Sequence, residues 1–264
     1  MKDITIAIYQ MEIIVGQKQK NLKKLEKTIK EHSKEIDLWV VPELFTTGFA
    51  YSRYPDLGEN LDDSYTREFL EKLSEEYNVG IAGSFLIKNE KNQCKNLGFI
   101  ISPSKGLVYK YPKINLWGNE KDYFIAGTKV PNPVDFEGKA KIGLSICYDL
   151  RFPEVSRSLV LQGAEVLITT AAWPDVRASH YRLLAAARAL ENTSYHIAVN
   201  RTGLEKDIYT INYSGSSRVI DPLGTPIVEM GDEEGVVSAK LTAKLLKETR
   251  EYIPVLTDRK DIPL

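Results

Sequence analysis

Short apolar runs separated by polar or turn-forming residues recur along the whole chain. The opening run I-T-I-A-I-Y alternates between two sets of positions, which is typical of a β-strand. Residues 37–42, D-L-W-V-V-P, form a nearly continuous apolar run that ends at a proline, as expected of a buried strand. Further strands are predicted by V-G-I-A-G-S-F-L-I, L-G-F-I-I-S, L-V-Y-K-Y, I-G-L-S-I, A-E-V-L-I-T-T and Y-H-I-A-V. The segments S-S-R-V-I and P-I-V-E-M flank D-P-L-G and predict a hairpin closed by a type I turn.

Helical periodicity occurs between these runs. Leu22, Leu25 and Ile29 share one face of the lysine-rich residues 19–35, which predicts an amphipathic helix. A second helix is predicted by the four-residue repeat of Tyr65, Phe69, Leu73 and Tyr77. Three more helices are expected over residues 153–162, 178–191 and 242–250. Strands and helices alternate at both ends of the chain, with a cluster of strands between them. This order predicts one α/β domain over residues 1–264, with sheets covered by helices.

Composition narrows the class of protein. Hydrophobic residues make up 43% of the chain and charged residues 27%, and the formal net charge is −1, so neither nucleic acid nor an anionic membrane is expected as a partner. The two cysteines do not make a disulfide framework. The N-terminus does not resemble a signal peptide, and no apolar run reaches the roughly 18 residues that span a bilayer. These features predict a cytoplasmic protein.

Glu43 follows directly after one buried strand, in V-V-P-E-L-F-T-T-G-F. A lone glutamate in such a place is usually a hydrated loop residue or the partner of a nearby lysine. Apolar neighbours at the carboxyl end of a core strand can instead strip water from the carboxyl group. Desolvation raises the pKa of a carboxyl and makes it a usable base near neutral pH.

Lys113 and Glu120 lie in a segment rich in aromatic and aliphatic residues, Y-K-Y-P-K-I-N-L-W-G-N-E. A lysine is usually a surface charge, but one in this company is a candidate for partial burial. A buried ammonium needs a carboxylate partner. A fixed cation is also what stabilises an oxyanion during acyl transfer.

Cys147 ends the strand I-G-L-S-I, and Pro153 then begins a helix. Either the thiol is a small buried packing residue, or the strand-turn-helix junction presents it as a nucleophile beside free backbone N–H groups. Ser145 is a weaker candidate, because Cys147 replaces the last glycine of a G-x-S-x-G elbow. The base for the cysteine is either His180, the one suitable histidine, or a carboxylate and a lysine.

Three segments together are similar to a known family. P-E-L-F-T-T-G-F, Y-P-K-I-N-L and C-Y-D-L-R-F-P-E, in this order and at this spacing, resemble the nitrilase superfamily of carbon–nitrogen hydrolases. The resemblance continues through T-T-A-A-W-P-D-V-R-A-S-H-Y and A-V-N-R-T-G and covers nearly the whole chain. The segment D-L-R-F-P-E, and A-A-W-P followed by R-x-x-H, most resemble the omega-amidase branch. Asn115 departs from the pattern, since many relatives carry histidine there.

The resemblance implies a four-layer αββα sandwich, usually paired into homodimers, and a Glu-Lys-Cys triad formed by Glu43, Lys113 and Cys147. Glu120 matches a second glutamate that orients the lysine and the substrate. Lys113 and the backbone N–H of Tyr148 are expected to form the oxyanion hole. The implied activity is hydrolysis of a small carboxylated amide such as 2-oxoglutaramate, through a cysteine thioester, to the acid and ammonia.

Arginines near the cysteine are candidates for other roles. Arg151 and Glu154 are expected to form an ion pair that supports the turn. Trp173 and Arg177 follow the next strand, so Arg177 is either a surface residue or a bidentate partner for a substrate carboxylate, with Trp173 beside it.

Other functions stay open. They are an N-carbamoyl amine hydrolase, an aliphatic amidase, a deaminated glutathione amidase, or a non-catalytic scaffold of the same fold. No motif calls for a metal or a nucleotide cofactor, because H-E-x-x-H, a P-loop and G-x-G-x-x-G are absent from the sequence.

Overall fold

The computed structural model describes residues 1–32 and 34–260. Within this part of the chain, fourteen strands occur. In chain order they are β1 (Ile4–Gln10), β2 (Leu38–Val40), β3 (Gly80–Lys88), β4 (Cys94–Ser102), β5 (Gly106–Pro112), β6 (Val134–Phe136), β7 (Ala140–Ile146), β8 (Val166–Ala171), β9 (Tyr195–Asn200), β10 (Thr202–Lys206), β11 (Thr210–Ser214), β12 (Arg218–Ile220), β13 (Pro226–Glu229) and β14 (Gly235–Leu241).

Helices connect or follow these strands. They are α1 (Lys18–His32), α2 (Tyr54–Leu57), α3 (Tyr65–Tyr77), α4 (Glu120–Tyr123), α5 (Pro153–Leu161), α6 (Ala178–Leu190), α7 (Ala243–Tyr252) and α8 (Val255–Asp258). Short 3₁₀ turns span Tyr51–Arg53, Leu61–Asp63, Cys147–Arg151 and Asp175–Arg177. Among the described residues, no helix combines the length and apolarity needed to cross a membrane.

The strands form two six-stranded sheets. The first has the order β14-β1-β2-β3-β4-β5, with β1, β2 and β3 parallel to one another. The second has the order β13-β12-β9-β8-β7-β6, with β7, β8 and β9 parallel. Parallel strands need helical crossovers, and the crossovers cover the outer face of each sheet.

Both faces of each central strand are buried, and alternate residues serve different cores. In β1, Ile4, Ile6 and Ile8 join the core between the two sheets. Ala7 and Tyr9 join a second core, in which α1 and α3 contribute their buried leucines. The layers therefore run helix, sheet, sheet, helix, and the predicted αββα sandwich is confirmed.

Most predicted elements are present with small changes at their ends. The hairpin of β12 and β13 closes through a bond from Gly224 N to Asp221 O of 3.0 Å, as expected of the D-P-L-G turn. The helix at Tyr65 begins after Ser64, whose side chain accepts from Arg67 N, and ends at Asn78 in the left-handed region. The predicted helix is confirmed; of its four-residue repeat, Leu73 is buried, whereas Tyr65 is 54% exposed.

Three strand regions were not predicted from the sequence. The hairpin of β10 and β11 and the edge strands β6 and β14 lack long apolar runs. Strand β14 pairs antiparallel with β1 from Gly235 to Leu241, which are more than 220 residues away along the chain. Only tertiary contacts select such an edge strand, because Ser238 and Lys240 interrupt its apolar residues.

Candidate active site

Four chain segments converge where strands of both sheets end. Glu43 lies three residues beyond β2, and Lys113 directly follows β5, which runs in the same direction as β2. In the facing sheet, Cys147 directly follows β7 and Trp173 lies two residues beyond β8. The ends of strands that point the same way share one edge of a sheet, so these side chains meet at one end of the sandwich.

Three charged side chains are buried in one cluster. Lys113 Nζ donates to Glu43 Oε1 and to Glu120 Oε1, each at 2.7 Å. Exposure is 0% for Glu43, 1% for Lys113 and 3% for Glu120. Burial of this degree removes water as a competitor, so the ammonium and the carboxylates depend on one another for their solvation.

Burial and charge act in opposite directions on this cluster. Burial by itself lowers the pKa of Lys113, but the charges of Glu120 and Glu43 outweigh it and raise that pKa well above its usual range. Lys113 is therefore an ammonium at neutral pH. Burial raises the pKa of Glu120 to about 7, with Lys113 opposing the rise and the Glu43 charge adding to it.

Glu43 is held through both of its oxygens. Oε1 accepts from Lys113 Nζ and from Asn96 Nδ2, the latter at 2.8 Å. Oε2 accepts from the backbone N–H of Ala172 at 2.9 Å. These bonds fix the rotamer of the carboxylate behind the pocket wall.

Cys147 stands on a strained turn. Its φ of 46° lies in the left-handed region, which costs a non-glycine residue about 1–2 kcal/mol. Such a turn at a strand-to-helix junction lifts the thiol off the sheet toward the pocket. Burial raises the pKa of the thiol well above its usual range, and the Glu43 charge raises it further, whereas Lys113 lowers it. The resting group is a thiol that needs a base.

Asp149 ties this turn to the segment after Lys113. Its Oδ2 accepts from Ile146 N at 3.0 Å and from Tyr111 Oη at 2.7 Å. Its Oδ1 accepts from the backbone and side-chain N–H groups of Asn115, at 2.9 and 2.8 Å. One buried carboxylate thus joins the Cys147 turn of the second sheet to the Lys113 segment of the first.

A pocket of about 230 Å³ opens onto the thiol. It is lined by Phe49, Tyr51, Lys113, Trp117, Gly118, Asn119, Glu120, Cys147, Tyr148, Arg151, Ala172, Trp173, Pro174, Arg177, Tyr209, Ile211 and Tyr213. Of the seven predicted site residues, only Glu43 is missing from this wall, because it lies behind Lys113 and Ala172.

Two arginines project into the pocket wall. The guanidinium of Arg151 lies over the Trp173 ring at 4.8 Å, and that of Arg177 lies over the Trp117 ring at 5.4 Å. Within the described ranges, neither guanidinium forms an ion pair with a carboxylate. The predicted Arg151–Glu154 ion pair is wrong, because Arg151 turns away from the helix start toward Trp173 and contacts His180 Nδ1 at 3.2 Å.

His180, His196 and Ser145 contact residues other than Cys147. His180 is exposed beside Arg151, and no contact joins it to Cys147 within the described part of the chain. His196 is buried in β9, where burial lowers its pKa to about 4, and it bonds Thr169 and Ala185 O. Ser145 Oγ bonds Thr169 Oγ1 at 2.9 Å. A carboxylate and a lysine are therefore the groups next to the thiol.

Some site residues were not found from the sequence. Asn96 bonds Glu43 across 53 residues of chain, and Asp149 bonds Ile146, which precedes Cys147, and Asn115, two residues after Lys113. Tyr209, Ile211 and Tyr213 come from the unpredicted β10–β11 hairpin. A buried polar residue in an apolar strand, such as Asn96 in β4, was the one signal available.

Comparisons with known proteins agree with this geometry. The family model "Carbon-nitrogen hydrolase" matches residues 5–251. A 2-oxoglutaramate amidase from Bacillus subtilis (strain 168) is 34% identical over 261 residues, covering 98% of each chain. A deaminated glutathione amidase from Synechocystis sp. is 33% identical over 207 residues, covering 74% of this chain and 75% of that protein. The crystal structure of a CN-hydrolase superfamily protein from Xanthomonas campestris, with an arsenic adduct in its active site, superposes with a TM-score of 0.91 at 30% identity and full coverage of both chains.

The charge balance of the cluster predicts how the Glu120 carboxyl titrates. In the wild type its midpoint is expected near pH 7, far above exposed glutamates. Lys113→Met removes the charge that lowers this pKa and should move the midpoint up, and Glu43→Gln removes a charge that raises it and should move it down, each by about 1–3 pH units. Carboxyl ¹³C NMR titration measures this, with Glu120→Gln assigning the signal.

The matched control is Glu154→Gln, which removes an exposed carboxylate on α5 and should leave the Glu120 midpoint in place. If Glu120 titrates at the same pH as the exposed glutamates in every variant, the charges of Lys113 and Glu43 do not shift the pKa of Glu120.

Proposed function

We propose that this chain, which belongs to the carbon–nitrogen hydrolase family, hydrolyses a small amide that carries a carboxylate, such as 2-oxoglutaramate, to the acid and ammonia. Two of the relatives named above are amidases. The observation that supports this substrate class is one pocket that contains both the Cys147–Lys113–Glu120 cluster and two guanidiniums that have no carboxylate partner among the described residues. The 2-oxoglutaramate amidase that covers 98% of the chain supports the same choice.

Cys147 is the proposed nucleophile and Glu43 the base. Glu43 takes the thiol proton as the sulfur attacks the amide carbonyl, and it passes that proton to the departing nitrogen, which leaves as ammonia. Glu43 then removes a proton from water, which attacks the thioester, releases the acid and restores the thiol. The support is geometric, since Glu43 Oε2 accepts from the backbone N–H of Ala172, and Ala172 lines the pocket together with Cys147.

Lys113 and the backbone N–H of Tyr148 are the proposed oxyanion hole. The carbonyl oxygen gains negative charge in the tetrahedral intermediate, and an ammonium held in a dry site stabilises that charge without reorganising. Glu120 holds Lys113 from the side opposite Glu43, through bonds of equal length. Glu120 also accepts from Trp117 N at 2.7 Å, which fixes the pocket wall beside the lysine.

Arg177 and Arg151 are the proposed partners of the substrate carboxylate. Each guanidinium is stacked on a tryptophan, which limits its motion, and the planar fork of a guanidinium can form a bidentate contact with a carboxylate. The volume of about 230 Å³ suits a compact substrate. Because the chain is also similar to a deaminated glutathione amidase, deaminated glutathione is the second candidate substrate.

We also propose that the protein is a cytoplasmic homodimer. The outer face of α6 presents Leu183 and Leu190, 72% and 53% exposed, at a spacing of two helical turns. Leu223, in the β12–β13 turn next to Leu190, is 44% exposed and extends this apolar face. A second copy of the chain would cover it. A thiol nucleophile also suits a reducing compartment.

Replacing the nucleophile tests the reaction. Cys147→Ala should lower turnover by at least roughly a thousandfold, because the thioester can no longer form. Ammonia release is measured from 2-oxoglutaramate, succinamate, glutaramate, a simple aliphatic amide and an N-carbamoyl amine. Cys94→Ala is the matched control, because Cys94 is buried outside the pocket lining. Near-normal release by Cys147→Ala would refute the mechanism, and release from the aliphatic or carbamoyl compound alone would refute the substrate class.

Truncating the pocket arginines tests the carboxylate contact. Arg177→Ala should raise KM for a carboxylated amide about tenfold to a hundredfold, the usual loss for a charge-assisted contact, with kcat little changed. KM for an uncharged amide should not change. Arg151→Ala is measured in parallel, and Arg67→Ala, on α3 and outside the pocket lining, is the control. An unchanged KM in both pocket variants would remove the arginines from substrate binding.

A charge on the apolar face tests the dimer. Leu183→Glu should dissociate the homodimer, because a carboxylate buried without a partner destabilises an interface. Sedimentation velocity gives the mass of the assembly. Tyr65→Glu, at a 54% exposed place on α3 over the other sheet, should stay dimeric. A wild-type chain that sediments as a monomer at all concentrations would contradict the proposal.

A further inference from the structure

Asn96 is a polar side chain in an otherwise apolar layer. It belongs to β4, and the residues that share its side of the strand face the second sheet. A Cβ at Gly98 would meet Leu144, and Ile100 lies in the core between the sheets. Asn96 itself is 0% exposed. An amide at such a position opposes the local pattern, and breaks of this kind occur where function requires them.

Asn96 contacts two members of the proposed triad. Its Nδ2 donates to Glu43 Oε1 at 2.8 Å, and its backbone O accepts from Lys113 N at 2.9 Å. The second bond continues the β4–β5 ladder, in which Leu97 pairs with Pro112, so Lys113 lies opposite Asn96. One residue therefore sets both the entry of Lys113 into the site and the orientation of Glu43.

The side chain of Asn96 is only half satisfied. Its Oδ1 is buried and has no hydrogen-bond partner in the part of the chain that the structure describes. Asn21 shows the contrast, because its buried amide donates to Ile14 O and Thr46 O and accepts from Ile14 N. Asn21 has the bonding of a structural amide, and Asn96 does not. A buried acceptor without a partner opposes stability, so the fold alone does not account for Asn96.

The bonds to Glu43 divide its two oxygens between two tasks. Oε1 receives two donors, Lys113 Nζ and Asn96 Nδ2. Oε2 receives one donor in the described part of the chain, the backbone N–H of Ala172, a residue that lines the pocket together with Cys147. Oε1 is thus occupied as the anchor, and Oε2, with a single donor among the described residues, is the oxygen bonded to the pocket wall.

We propose that Asn96 is a positioning residue that saturates Glu43 Oε1 and so leaves Oε2 as the oxygen that takes the Cys147 proton. This inference rests on the proposed function, because it assumes that Glu43 is the base. Asn96 does not touch the substrate. It acts through Glu43, so its removal should affect kcat and the reactivity of Cys147 rather than substrate binding.

The test replaces the amide by an apolar group of similar size. Asn96→Leu removes the donor and also the unsatisfied acceptor, so the melting temperature should be close to that of the wild type or above it. Misplacing the base should lower kcat about tenfold to a hundredfold with KM unchanged. Asn96→Ala is made alongside, in case leucine does not fit, and the same loss of kcat with unchanged KM is expected. Asn21→Leu is the structural comparison, for which a lower melting temperature with normal kcat per folded molecule is expected.

A second readout does not depend on the identity of the substrate. Iodoacetamide alkylates Cys147 and Cys94, and peptide mass spectrometry follows each rate separately. Asn96→Leu should slow the alkylation of Cys147 and leave that of Cys94 unchanged. Glu43→Gln should slow Cys147 as well, because losing the proton acceptor outweighs losing the charge that raises the pKa of the thiol. The double variant should be no slower than Glu43→Gln alone, because the two changes act through one group.

The outcomes separate the two proposals. If Glu43→Gln slows Cys147 but Asn96→Leu and Asn96→Ala do not, the positioning role is wrong and the triad stands. If Glu43→Gln leaves the rate unchanged, Glu43 is not the base, and both proposals fail. A double variant with multiplied losses would show that Asn96 acts independently of Glu43, which also overturns the inference. Loss of stability in Asn96→Leu with normal kcat and alkylation would assign Asn96 to the fold alone.

Discussion

The ammonium of Lys113, held between two buried carboxylates, is the interaction on which the rest of the site depends. Taking three charged groups out of water costs several kcal/mol for each ion unless their partners replace the lost solvation. Here each carboxylate bonds the lysine at 2.7 Å, and each has a further N–H donor. The cluster is therefore stable only as a unit, and the two sheets must close around it to keep water out.

The sandwich supplies that closure. Two sheets with apolar faces pack together through β1, β2, β7 and β8, and strand ends from both of them meet at the cluster. The lysine and Glu43 come from the first sheet, and the thiol comes from the second. Asp149 joins the two by accepting backbone N–H groups from Ile146 and Asn115. This carboxylate holds the strained turn of Cys147 in register with Lys113, which neither sheet achieves alone.

The same arrangement explains the division of chemistry within the pocket. The charged cluster and the thiol lie at the buried end, where a low dielectric strengthens every charge interaction. The two arginines lie on the pocket wall, stacked on Trp173 and Trp117, and place two positive charges there. An amide nitrogen and a carboxylate on one small molecule match these two ends.

The sequence by itself determined the alternation of strands and helices, the segments that carry Glu43, Lys113 and Cys147, and the family to which they belong. Period-two runs and amphipathic repeats are local properties, so β1, β7, α1 and α6 could be predicted from neighbouring residues. Only the tertiary structure decided which polar side chains meet. Asn96 bonds Glu43 across 53 residues of chain, and Asp149 bonds Asn115 across 34. Arg151 stacks on Trp173 instead of pairing with Glu154. The physical reason is that hydrogen bonds and charge contacts in a buried site depend on the distance between atoms after the sheets have packed, and spacing along the chain does not encode that distance.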